Sequence, residues 1–271
     1  IKFAKEKLKK ISIFPKDKIA CIINRNNFFN KKIIKNSNLI KINEFRNSDF
    51  NDYLPAAKYL VKKGYKVIRM GSHEKNFQNK YIINYSSSKI KNFLIDLYLL
   101  KTADLIITSG TGIDLTASHF FKKSICCVNL IPHLNIQSFK FSPNGVFLTK
   151  KLYKNKQLLS LKTIIKKGFF YRGRSDEYKN GGIKIVNNSK KEILECVKEF
   201  YKIKFENYKY KKKELSIQKK FYKILNKELL ENENYQEHLG SRNNVKLSLK
   251  QKESANFSLF FLKKNPKFLH E

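Results

Sequence analysis

The sequence predicts an α/β fold: a mainly parallel sheet flanked by helices, with a helical stretch closing the chain. Three observations predict it. Short continuous apolar runs read as buried strands, amphipathic stretches of helical period separate them, and Gly-rich turns fall where a strand hands over to a helix. The chain has 271 residues, of which 41% are hydrophobic and 13% aromatic, enough for an apolar core and too many for wholesale disorder.

Ile19-Ala20-Cys21-Ile22-Ile23 is the first buried strand. Asp52-Tyr53-Leu54-Pro55 opens a helix, with Pro55 in the first turn, where its missing N–H costs nothing. Leu54, Ala57, Leu60 and Val61 share one face, Lys62 and Lys63 suit the last turn, and Gly64 supplies a left-handed cap. Tyr65 to Met70 is the second strand, ending at Gly71. Lys91 to Lys101 is helical with Phe93, Leu94, Leu97 and Leu100 inward, and Ala103 to Thr108 is a strand. Ser109-Gly110-Thr111-Gly112 is a tight turn, Ile113 to Phe121 a short helix, and Ser124 to Leu130 a further strand. Ligands of such sheets sit at the carboxyl ends of strands, so the loops after Ile23, Met70, Thr108 and Leu130 matter most.

Beyond Pro132 the pattern predicts a helical stretch from Thr149 to Lys167, a polar loop from Arg172 to Gly182, and a strand at Ile183 to Val186. Ser189-Lys190-Lys191-Glu192 is a capping box for the helix bearing Ile193, Leu194, Val197 and Phe200. A lysine-rich amphipathic helix runs from Tyr208 to Leu230. The predicted organisation is a linker over 1–18, a sheet domain over 19–205 and a basic helical extension over 206–271.

The formal charge is +35, and only six of the 57 basic residues are arginine. A basic surface attracts phosphates, anionic lipid or nucleic acid. The bias toward Lys, Asn and Ile also follows from AT-rich coding, so charge alone assigns no partner and no specific nucleic-acid role. Cys21, Cys126, Cys127 and Cys196 form no CxxC pair, which fits a reducing cytoplasm rather than metal or disulfide chemistry. His73, His119, His133, His238 and His270 are scattered, without metal-ligand spacing. The longest apolar runs are too short to span a bilayer.

With arginine so scarce, its positions are informative. Arg25 follows the first strand, Arg69 closes the second, and Arg46 lies between; a guanidinium suits diphosphate because it is planar, bidentate and permanently charged. The turn at Ser109–Gly112 offers backbone N–H groups and a helix N-terminus to a phosphate, without the spacing of a P-loop or a dinucleotide fingerprint. Among the carboxylates, Asp96 and Asp104 read as structural, Asp114 as a helix-start charge, and Glu44 and Asp49 as candidate bases.

Phe45-Arg46-Asn47-Ser48-Asp49, then Tyr53-Leu54-Pro55-Ala56 and Gly64-Tyr65-Lys66-Val67-Ile68-Arg69-Met70-Gly71, resemble a family of bacterial glycosyltransferases of surface-polysaccharide loci. That family is similar to the C-terminal half of GT-B enzymes. Ile13-Phe14-Pro15, Ile83-Asn84-Tyr85, Asp96-Leu97-Tyr98-Leu99, Thr111-Gly112, Val128-Asn129 with Pro132, Asn187-Asn188-Ser189 and Phe261 to Pro266 follow in the same order. The family's His-x-Arg is Ile23-Asn24-Arg25 here, its Asp before Tyr is Asn84, and its Ser-Gly is Thr111-Gly112.

The resemblance implies a Rossmann-like donor domain, an N-terminal domain ahead of Ile1, and sugar transfer from a nucleotide-diphosphate donor to a glycan or lipid-linked acceptor without metal or other cofactor. It implies that Arg25 holds the diphosphate, that Thr111 and Gly112 cap the phosphates through hydroxyl and backbone, and that Arg46, Asn47, Arg69 and Gly71 lie near the same cleft. Asp49 and Tyr53 also match, and a role in starting the helix fits them as well. The expected place is the cytoplasm, with peripheral contact at the inner membrane through the lysine-rich helix. The alternatives are a noncatalytic polyanion-binding protein or decayed enzyme fragment, and a non-sugar group transferase such as a pyruvyl transferase.

Overall fold

The computed structural model describes residues 1–26, 37–71, 77–140, 142–238 and 254–270. His73 lies outside them. The described residues form strands β1 (Lys18–Ile23), β2 (Tyr65–Arg69), β3 (Leu105–Thr108), β4 (Cys126–Leu130), β5 (Val146–Thr149), β6 (Lys151–Lys154), β7 (Gln157–Leu158), β8 (Lys184–Val186) and β9 (Asn256–Phe257). Six of them make one sheet in the order β2-β1-β3-β4-β5-β9, and every pairing in it is parallel. Parallel sheets are covered on both faces, which is why β3, β4 and β5 are buried at every position, and β1 at all but Lys18, rather than at alternate ones.

A vestigial strand extends the edge beyond β2. Ile83 forms a parallel bridge to Ile68, its N–H donating to Val67 O at 2.8 Å and its carbonyl accepting from Arg69 N at 2.9 Å. With that bridge counted, the chain runs outward from β1 through β2 to Ile83, then crosses back to β3 on the other flank of β1. This reversal is the winding of doubly wound nucleotide-binding sheets, so the Rossmann-like expectation holds at the level of architecture.

The clearest local prediction is also the clearest local structure. The helix Leu54–Lys62 carries Pro55 in its first turn, buries Ala56, Ala57 and Leu60, and ends at Gly64 with φ +85° before β2 begins. It packs against the helix Lys190–Phe205, whose start is the expected box between Ser189 and Glu192. Glu192 also pairs with Lys151 at 2.7 Å, which ties this helix to β6.

The helix expected over Thr149 to Lys167 is corrected. That stretch holds the end of β5, the hairpin β6–β7 and only then a helix, Leu161–Lys166. Asn155 and Lys156 both adopt positive φ, 49° and 63°, the backbone that a two-residue hairpin turn requires. The polar segment Arg172 to Gly182 likewise contains a short helix, Ser175–Asn180, whose Tyr178 is buried.

The C-terminal stretch holds the expected long helix, Lys212–Glu231, and also completes the sheet. β9 pairs with β5 through Val146↔Asn256 and Phe147↔Phe257. Phe147, Phe221, Phe257, Phe261 and Phe268 form one aromatic cluster, with ring centroids 4.6 Å apart for the Phe221–Phe257 pair. At the other terminus the helix Lys2–Lys9 buries Ala4 and Leu8 in the same core. No described helix is long and apolar enough to cross a membrane.

Candidate anion-binding cleft

β1 lies between β2 and β3, so the chain reverses direction of winding at the carboxyl ends of β1 and β3. A cleft of about 350 Å³ opens there, lined by Asn24, Arg25, Gly71, Lys91, Asp96, Thr111 and Gly112 among others. Of the residues expected at the site, the structure therefore brings Arg25, Gly71, Thr111 and Gly112 to one cavity, while Arg46, Asn47 and Arg69 lie outside its lining. Its place is the one that open parallel sheets use for ligands.

Arg25 is fixed at its backbone. Its N–H donates to Ser109 Oγ at 2.7 Å, so the loop after β1 is tied to the turn after β3. Next to it, Asn24 Nδ2 donates to Ser48 O at 2.9 Å, which holds the loop bearing Arg46 against the same edge. Burial pulls the Arg25 guanidinium down to about 10, and the charge of Arg46 pushes in the same direction. The Nε atoms of Arg25 and Arg46 are buried with no hydrogen-bond partner. Burial also lowers Arg46, with Asp114 opposing through its charge. Both guanidiniums are thus partly desolvated, and the positive charge of Arg46 acts on Arg25.

The turn after β3 is built around Asp114. Its Oδ2 accepts from the Thr108 hydroxyl at 2.5 Å, Thr111 N–H at 2.6 Å and the Thr111 hydroxyl at 3.4 Å. Both donors that the sequence assigned to a phosphate at Thr111 are thus engaged within the turn. Gly112 differs, because a Cβ built there meets nothing within 4 Å. The space a side chain would take there is open. Gly110 has φ +77°, and a Cβ there would stand 3.2 Å from the Leu130 side chain, so the turn needs glycine for conformation and for clearance.

Arg69 is placed elsewhere. Its guanidinium lies between two rings, 4.3 Å from the centroid of Phe50 and 4.5 Å from that of Phe77, and it does not line the cleft. Burial lowers it to about 10, with Asp49 pulling the other way. Asp49 itself caps the following turn by accepting Asn51 N–H at 2.9 Å, the helix-start role. Asn47 contributes its carbonyl to Lys150 Nζ at 2.5 Å, while its side-chain Oδ1 is buried without a partner. Tyr53 is fully buried, with its hydroxyl 3.2 Å from Ser48 Oγ and accepting from Asn129 Nδ2 at 3.3 Å.

Two residues in this region were not read from the sequence as site residues. Asp96, assigned a structural part, lines the cleft; burial raises its pKa, and Lys91 opposes the rise. Its Oδ1 is buried without a hydrogen-bond partner. Lys150, at the carboxyl end of β5, is buried and holds the loop on either side of Arg46. Nothing in the local sequence marks one lysine among so many as buried.

The remaining family-like positions act as fasteners. Asn129 and Asn188 exchange two hydrogen bonds of 2.6 Å, side chain to backbone in both directions, joining β4 to the start of the helix Lys190–Phe205. Asn84 donates to Phe77 O at 3.0 Å and Ser87 Oγ at 2.8 Å, which an aspartate at that position could not do. Among the described residues no group of His, Cys, Asp or Glu gathers as metal ligands, and the cysteines are free and buried. Comparison of the chain with protein-family models, curated proteins and solved structures finds no match.

Proposed function

We propose that the cleft binds the diphosphate of a nucleotide-activated donor, and that the chain serves sugar transfer to a surface-glycan acceptor. The observation that carries this reading is Arg25, which lines the cleft at the winding reversal of a parallel sheet, desolvated and lowered further by the charge of Arg46, itself desolvated on the adjoining segment. Departure of a nucleoside diphosphate builds negative charge where those guanidiniums lie, and preorganised donors stabilise such charge without reorganising. Gly112 lines the same cleft, and the space a side chain would fill there is left open. Asp96 is the carboxylate lining the cleft and the candidate to accept a hydrogen bond or a proton from a hydroxyl there. The acceptor is a glycan or lipid-linked saccharide, and no metal has a part in this reading.

The test is a panel of nucleotide sugars with product analysis, using wild type and Arg25→Ala. Loss of turnover in a variant that still folds supports the reading, and unchanged turnover overturns it. Product analysis also separates sugar transfer from transfer of a non-sugar group such as pyruvyl.

A second reading is noncatalytic polyanion binding. The helix Lys212–Glu231 favours it, because Lys212, Lys219, Lys220, Lys223 and Lys227 are exposed on it while Phe221, Leu225 and Leu229 face the core. The same lysines would serve peripheral contact with an anionic membrane. Binding of that kind falls steeply with salt and ignores the base, whereas a pocket selects among bases.

A further inference from the structure

Lys150 follows β5 directly, on the same carboxyl edge of the sheet that carries Arg25 and Thr111. It is only 2% exposed. Its Nζ donates to the carbonyl of Phe45 at 2.7 Å and to that of Asn47 at 2.5 Å. Those two carbonyls bracket Arg46. Burying an ammonium against carbonyls alone is costly, and burial lowers its pKa to about 7. A methionine would fill the same space; it could not bind two carbonyls at once.

Arg46 needs such a restraint. Ser48 N–H donates to Arg25 O at 3.0 Å, so the segment bearing Arg46 lies beside Arg25, whose guanidinium feels the Arg46 charge; a guanidinium without restraint relieves such repulsion by turning into solvent. Asp114 attracts Arg46 toward the turn after β3, and the clamp on Phe45 and Asn47 fixes the backbone from which Arg46 projects.

We propose that Lys150 is the positioning residue of the anion site: by holding the carbonyls of Phe45 and Asn47, it keeps Arg46 facing Arg25 so that a diphosphate meets both. This rests on the reading of the cleft as a diphosphate site. Lys150 acts through Arg46 and does not itself touch the ligand, so its effect disappears when Arg46 is gone.

The test is a double-mutant cycle on the affinity for inorganic pyrophosphate, measured by titration calorimetry at fixed salt. The proteins are wild type, Arg46→Met, Lys150→Met and the double variant, with the melting temperature of each recorded. Each single variant is expected to weaken binding about tenfold, and the double variant no further than either single one. Lys150→Arg, which keeps several N–H donors, is expected to stay within about threefold of wild type. A purely structural role would not produce this coupling or this rescue. If Lys150→Met does not fold, Lys150→Gln completes the cycle in its place.

Losses that add to about a hundredfold in the double variant overturn the proposal, as does unchanged affinity in the Lys150 variants. In either case, binding that still depends on Arg25 leaves the diphosphate reading standing. Failure of the wild type to bind pyrophosphate removes that reading, and the role of Lys150 with it.

Discussion

Ser109 Oγ accepts the backbone N–H of Arg25 at 2.7 Å, and this bond joins the ends of β1 and β3 where the winding of the sheet reverses. Ser109 is 2% exposed, so the bond is shielded from water. Ser109→Ala leaves the Arg25 N–H unpaired. The expected cost is roughly 1–3 kcal/mol of stability, with a several-fold loss of pyrophosphate affinity as the Arg25 loop loosens. Denaturant unfolding and calorimetry read the two effects separately.

Arg69 separates packing from binding. Its guanidinium sits between Phe50 and Phe77 and outside the cleft lining. Arg69→Lys swaps a planar stacking cation for a compact ammonium, with an expected loss of about 1 kcal/mol of stability. Pyrophosphate affinity should stay at the wild-type value. A large loss of affinity at unchanged stability would place Arg69 in the site.

Gly112 makes the converse case. Because a Cβ there meets nothing within 4 Å, Gly112→Ala fits the unliganded fold and should leave the melting temperature unchanged or slightly raised. The methyl group then occupies space that phosphates would use, and affinity for pyrophosphate is expected to fall by at least tenfold. Equal affinity would move the phosphates away from this turn.

Two desolvated titrating groups pull stability in opposite directions. Burial pushes Glu199 up from 4.5 to about 7, although Tyr210 and the Leu259 N–H donate to its carboxylate. The folded state therefore holds a proton that the unfolded state has released, and Glu199 makes stability fall as pH rises from about 4.5 to about 7. His133 is fully buried, and burial alone drives it from 6.5 down to about 3. The unfolded state then holds the extra proton, so His133 makes stability rise with pH from about 3 to about 6.5. Between about 4.5 and 6.5 the two slopes oppose each other. Relative to wild type, Glu199→Gln should add an upward slope in that window and His133→Phe a downward one, read from denaturant midpoints across pH.

How much of this was legible depends on what each element needed. The passage from Asp52 to Gly71 was readable because Pro55 and Gly64 punctuate it and its apolar face repeats at helical spacing. Arg25 and the turn at Ser109–Gly112 were readable as strand ends. The β6–β7 hairpin was not, because its turn is Asn155-Lys156, without the glycine that usually announces one, and its apolar residues mimic helical spacing. β9 owes its place to pairing with β5 across more than a hundred residues, which local pattern does not encode.

The site divides along the same line. Asp96 sits within a helical pattern, and only the tertiary fold reveals that its carboxylate lines the cleft. Lys150 is chemically identical to the surface lysines that surround it in sequence, and burial against two carbonyls is what sets it apart. Arg69 fell at a strand end, where an anion ligand belongs; Phe50 and Phe77, distant in sequence from each other, turned it into a stacking residue.

The most direct test of the central claim is the thermal stability of wild type and Arg25→Ala against UDP, GDP, CDP, ADP and TDP at near-physiological salt. A ligand at a hundred times its dissociation constant adds about 2.7 kcal/mol, which is a readable shift. The account predicts stabilisation by one base over the others, lost in Arg25→Ala while the unliganded melting temperature is kept. Small equal shifts with every nucleotide, fading with salt and indifferent to Arg25, would contradict it and leave a basic surface in place of a donor site.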